Sequence, residues 1–143
     1  MNWQIDSSHT HVGFSVKHMM VATVRGEFKH YSGTLELDMS DLTRSRISGD
    51  IEVASLDTRD ANRDQHLRSA DFFDAEQFPK ITFVSRRIER IDQENYRVIG
   101  DLTIRGITRE MSLEAEYSGI HKDPWGATRT GFMVRGAIDR KEF

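Results

Sequence analysis

Apolar residues recur at every second position through most of this 143-residue chain, a spacing that gives a β-strand one buried face and gives a helix none. Thr10, Val12, Phe14 and Val16 alternate with His11, Gly13, Ser15 and Lys17. The same rhythm returns at Ile47, Ile51 and Val53, at Ile81 and Phe83, and at Tyr96, Val98, Leu102 and Ile104. It continues at Met111, Leu113, Ala115 and Tyr117, and again at Phe132, Val134 and Ile138. Between Gly26 and Asp38 the phase changes: Phe28 keeps one register, while Tyr31, Leu35 and Leu37 keep the other. A bulge near Ser32-Gly33 is the expected cause. Seven antiparallel strands follow from this pattern.

Residues 59–73 break the rhythm, and their helix-tolerant, charged composition predicts a short helical insertion capped by Asp57 or Thr58. The two prolines and ten glycines fall at segment edges, as turns require. Asp123-Pro124-Trp125-Gly126 reads as a hairpin tip, and the strand from Gly100 is expected to turn at Gly106. The length suits one domain with one core. Strands of this number and length predict an all-β antiparallel barrel, just wide enough to be filled by side chains or to hold one small ligand.

Composition narrows the function. The 20 Lys+Arg and 23 Asp+Glu leave a formal charge of -3 with no basic block, so electrostatic capture of nucleic acid is not expected. The lack of cysteine excludes disulfides, thiolate metal sites and cysteine nucleophiles. The opening MNWQIDSSHTHVGF has no basic and apolar leader pattern. The expectation is a cytoplasmic protein as written, or a periplasmic one if a leader has been removed.

His9, His11 and His18 cluster near the first strand, but His9 and His11 share its polar face and His18 is expected beyond its end, so no metal is expected there. No cofactor is expected either. His66, beside Asp64 and Asp71, has the residue types of an acid–base pair without an accompanying nucleophile, phosphate loop or oxyanion motif. Solvation of a helix is the plainer reading of these charges. A third is contact of Arg63, His66 and Arg68 with an anionic group at a cavity rim. Met19 and Met20, in an apolar turn, fit either a core corner or a mouth that adapts to an apolar ligand. Phe72 and Phe73 pose the same choice between a plug and a ligand contact.

Four segments together carry a resemblance: Trp3 to Met19, His66 to Asp74, Gly100 to Thr108, and Asp123 to Gly126. In order and spacing the chain resembles the YceI-like family. That resemblance implies a lipocalin-like barrel of eight strands whose tunnel binds a polyisoprenoid or another long amphipathic lipid, with no catalytic residues to carry over. It implies lipid contacts at the inward apolar positions Phe14, Val16, Met19, Met20, Phe28, Ile51, Val53, Phe72, Phe73, Phe83, Leu102, Ile104, Met111, Leu113, Phe132 and Val134. Arg63, His66 and Arg68 are the expected head-group contacts. Residues 1–143 are expected to form a single such domain lacking the closing strand after Ala137 to Phe143, a gap that a homodimer could cover. Lipid carriage without enzymatic activity is therefore the expected role. The alternatives are a ligand-free scaffold barrel and, behind it, a small enzyme using His66.

Overall fold

The computed structural model describes residues 2–5, 10–18, 22–122, 124 and 128–138. Ten strands occur among them: β1 (Asn2–Gln4), β2 (Val12–His18), β3 (Ala22–Phe28), β4 (Tyr31–Glu36), β5 (Arg46–Glu52), β6 (Leu56–Asp57), β7 (Lys80–Arg90), β8 (Asn95–Ile104), β9 (Ile107–Lys122) and β10 (Thr128–Arg135). One helix, α1 (Ala61–Arg68), sits inside the expected insertion. Every pairing is antiparallel. Seven strands form a sheet in the order β1-β4-β5-β7-β8-β9-β10, curled into a half-barrel, and β2-β3-β6 form a second, smaller sheet. The all-β, lipocalin-like reading holds.

The phase change after Phe28 has a different cause from the bulge expected at Ser32-Gly33. At Lys29-His30 the chain leaves the small sheet at the end of β3 and enters the large one as β4. Each segment then buries its own alternate residues: β4 alternates half-buried and exposed positions throughout. A real bulge lies elsewhere, between Ser85 and Arg87 on β7. The extra residue leaves Phe83 and Ile88 on the same face, opposite Leu102 and Val98. Arg86 meanwhile reaches Asp101 at 2.9 Å and Glu110 at 3.6 Å, bridging two carboxylates that face each other across β8 and β9.

The β8–β9 hairpin turns on two residues, Arg105 and Gly106, with Ile104 paired to Ile107. Both have positive φ, as the tight hairpin turn matching strand twist requires. The ring of Phe78 lies where a side chain at Gly106 would be, 2.8 Å from the position of a Cβ. Helix α1 starts at Asp60, not Asp57 or Thr58, and the Asp60 carboxylate accepts from the Asn62 and Arg63 N–H groups at 3.1 Å. Its two neighbours are otherwise engaged. Asp57 accepts from Arg59 N–H and pairs with Lys29 at 2.9 Å, while Thr58 donates both its N–H and its hydroxyl to buried Asp64.

The Lys29–Asp57 pair links the end of β3 to β6, and it moves both groups. The Lys29 ammonium and the Arg59 N–H hold the Asp57 carboxyl below its usual range, while bonding to Asp57 raises Lys29. A lowered carboxylate contributes stability above its unfolded value and loses it as pH falls through the folded one. A raised ammonium contributes below its unfolded value and loses it as pH rises through the folded one. The pair therefore favours the fold across the neutral range. Replacing Lys29 by methionine should flatten the acid and alkaline limbs of a melting temperature against pH curve, modestly because Lys29 is exposed and Asp57 only half-buried. Limbs identical to those of the unaltered chain would show that the pair has no part in stability.

Candidate functional site

The pairing registers place one apolar face on the inside of the curled sheet. Reading across the strands, Tyr31, Ile51, Ile81 and Ile104 form one row, and Gly33, Gly49, Phe83 and Leu102 the next. A third row holds Leu35, Ile47, Ser85, Gly100 and Met111, and beyond it lie Ile88, Val98 and Leu113, then Tyr96, Ala115 and Val134. Large side chains dominate at both ends of the strands. Small ones gather between.

The end nearest α1 is densely filled. Phe28, Val53, Leu56, Ile81 and Ile104 form a buried cluster, with Val12, Phe14, Ile51, Leu67, Phe73, Ala75 and Leu102 packed on it. Ring contacts run Phe14 to Phe28 at 5.2 Å and Phe28 to Phe73 at 6.2 Å, so the small sheet and the segment after α1 meet the large sheet here. A second cluster, Ile88, Tyr96, Val98 and Ala115, fills the other end, supported by Leu42, Ile47, Phe83, Leu113 and Tyr117. Phe132 packs on Tyr117 at 5.1 Å.

A cavity of about 500 Å³ opens along the seam, lined by Ile5, Tyr31, Gly33, Gly49, Phe83 and Val84 together with polar Gln4, Ser32, Thr34, Ser48, Asp50 and Thr82. The glycines differ in what covers them. Ile5 lies over Gly33, 2.5 Å from where a Cβ would stand, and the Phe83 ring lies over Gly100 at 2.6 Å. Among the described residues, a Cβ at Gly49 would meet only the Ser32 carbonyl at 3.2 Å and the Gly33 Cα at 3.8 Å, so none of their side chains covers it. The Tyr31 hydroxyl donates to the Thr10 carbonyl at 2.7 Å, which fixes the ring at one side. On β1, Trp3 pairs with Leu35 of the inner face, and its indole Nε1 is buried without a hydrogen-bond partner among the described residues.

The residues expected to contact lipid are thus divided. Phe14, Phe28, Ile51, Val53, Phe73, Leu102 and Ile104 belong to the cluster beside α1, and Phe83, Leu113 and Phe132 to the opposite end. Val16 pairs with Val24 in the small sheet, Val134 pairs with Ala115 and is half exposed, and Met111 shares the row of Ser85 and Gly100. Met19 and Met20 lie outside the described residues. Adjacent Phe72 and Phe73 part company: Phe73 enters the core, while Phe72 meets the His66 ring edge-on at 4.9 Å. Among the described residues, Phe83 is the one expected contact that lines the cavity, and Gly33, Gly49 and Ile5 were not expected contacts.

The three expected head-group side chains have local partners. The Arg63 guanidinium donates to the Thr58 hydroxyl and carbonyl, both at 2.8 Å, joining the buried Asp64 network. His66 Nε2 is 3.2 Å from Asp71, and Arg68 reaches the Ala54 carbonyl at 3.5 Å. Of the histidines near the first strand, His11 pairs with Glu27 at 3.1 Å. His18 lies within β2, not beyond it, and His9 is outside the described residues. The Asp123 to Gly126 turn, apart from Pro124, also falls outside them, between the β9 and β10 ends joined at Lys122 and Thr128.

Comparison with known proteins agrees with this architecture. The family model described as YceI-like domain matches residues 3–143. A UPF0312 protein of Photorhabdus laumondii is 39% identical over 144 residues, covering 99% of this chain and 74% of its own length. One from Staphylococcus epidermidis is 41% identical over 142 residues, covering 99% and 80%. The crystal structure of the Campylobacter jejuni YceI protein superposes with a TM-score of 0.79 at 36% identity, covering 97% of this chain and 81% of that one. Burkholderia cenocepacia BcnA superposes at 0.76 with 28% identity, covering 80% and 72%.

Proposed function

The chain belongs to the YceI-like domain family, and from that premise we propose that it binds and carries a long apolar lipid, of isoprenoid or similar amphipathic type, in the seam between its two packed clusters. The observation that carries this is the cavity over Gly49. Its volume lies within the range of small-molecule sites, and Ile5, Tyr31, Phe83 and Val84 give it apolar and aromatic walls beside its polar ones. Each methylene moved from water onto such a face is worth about 0.8 kcal/mol. A long tail therefore binds usefully with few polar contacts. Trp3 Nε1, without a partner among the described residues, adds support, since a ligand oxygen or a water would satisfy such a buried donor.

The role is carriage, not chemistry. The titratable groups closest to a catalytic set, His66 and Asp71, stand on the exposed side of α1, against Phe72 and away from the seam.

Native mass spectrometry of freshly purified protein, followed by organic extraction, tests the proposal. A folded monomer carrying an adduct that extraction releases as a lipid is the expected result. Added isoprenoid at a hundred times its dissociation constant should also stabilise the fold by about 2.7 kcal/mol. A bare folded chain that neither carries nor gains stability from an isoprenoid would exclude it.

A further inference from the structure

We infer that the carried lipid ends in an uncharged hydrogen-bond donor, an alcohol, and that Asp50 accepts from it; this rests on the lipid-carrying reading above and specifies the ligand's polar end. The registers align Ser32, Asp50 and Thr82 in one row across β4, β5 and β7, and Thr34 and Ser48 in another, with the glycine row between. All of them line the cavity. Among the described residues, Asp50 is the one acidic side chain in that lining, and no Lys, Arg or His belongs to it. The cations expected to meet a head group, Arg63 and Arg68, are thus not part of the cavity wall, and neither is His66.

A phosphate entering such a site meets a carboxylate with no cation in the wall to offset it, and like charges brought together away from bulk water repel. A hydroxyl meets the opposite situation. A carboxylate accepts at about four lone-pair positions, and the Ser32 hydroxyl, donating to Asp50 Oδ1 at 3.1 Å, takes one of them. The Lys80 ammonium stands 3.8 Å from Oδ2, beyond hydrogen-bond distance. The Asp50 side chain keeps 36% of its exposure, so a ligand hydroxyl can reach it. A bond donated to an ionised acceptor is about twice as strong as a neutral one. The hydroxyls of Ser32, Thr34, Ser48 and Thr82 both donate and accept, which lets the same wall satisfy the ligand oxygen's lone pairs.

Asp50 also ties β5 to its neighbours through Ser32 and Lys80, so the test must separate binding from support. Three probes with one tail do so: the alcohol geranylgeraniol, its methyl ether, which accepts but does not donate, and geranylgeranyl monophosphate, titrated into the full chain at neutral pH. The alcohol is expected to bind about tenfold more tightly than either of the others. Asp50→Ala should abolish its advantage over the ether and bring the monophosphate close to both. A purely supporting role would instead weaken all three alike and leave their ratios unchanged. Asp50→Asn serves if the alanine variant does not fold: it should relieve the penalty on the phosphate and keep part of the preference for the alcohol over the ether.

Ratios that stay the same in both variants overturn the assignment. So does tighter binding of the monophosphate than of the alcohol by the unaltered chain, or equal binding of all three probes, while lipid carriage stands. If none of the three binds, both proposals fall.

Discussion

Gly49→Leu is expected to reduce binding of an isoprenoid at least about tenfold while the chain stays folded, because the new side chain enters space that the proposed ligand would occupy and no side chain of the described residues does. The Cβ itself meets only the Ser32 carbonyl, at a distance that a few tenths of an ångström of backbone adjustment relieves. Three apolar carbons beyond it then occupy the cavity between Tyr31 and Phe83. A control substitution sharpens the expectation. At Gly100 a Cβ would stand 2.5 Å from the Val84 carbonyl and 2.6 Å from the Phe83 ring, so Gly100→Leu should chiefly destabilise, by about 1–3 kcal/mol or more. Isoprenoid titration and thermal unfolding of both variants read the contrast. If Gly49→Leu binds as well as the unaltered chain, the seam is not where the tail lies.

Phe28→Ala should have the largest effect on stability. The ring is buried, pairs with Val12 across the small sheet, and touches Phe14 on one side and Phe73 on the other. Its loss opens the junction of the two sheets and the segment following α1. Phe→Ala in a packed core costs about 3–5 kcal/mol, a large share of the 5–15 kcal/mol that typically holds a domain together. For a chain of this length the melting temperature should fall by roughly 10 °C. A loss below about 1 kcal/mol in denaturant unfolding would mean that the junction collapses around the gap or contributes little.

The strands were legible because alternation is a local signal: the inner-face residues from Ile47 to Val134 can be read one strand at a time. What joins the strands was not. A phase reversal after Phe28 has the same appearance whether a strand bulges or the chain changes sheets, and only the pairing partners of β3 and β4 distinguish the two. Strands β1 and β6, of three and two residues, are too short to show a period. The helix cap was ambiguous because Asp57, Thr58 and Asp60 are all good caps, and the choice falls to Asp60 once Lys29 and Asp64 engage the other two.

The candidate site was harder still. Listing large apolar residues finds the places where the interior is full, and those residues form the two clusters. The cavity is where side chains are missing, and a glycine inside a strand carries the same letter as a glycine in a turn. The only usable signal was that Gly33 and Gly49 fall in phase with Leu35 and Ile47 on their own strands.

Because stability is drawn from the two ends of the strands, residue 49 is largely relieved of folding duty, whereas Gly33 lies under Ile5 and is not. On the lipid-carrying proposal, lineages can alter the size and shape of what is held by exchanging the side chain at 49 without reworking either core. Differences among relatives at that position should then track cargo more closely than overall sequence divergence does.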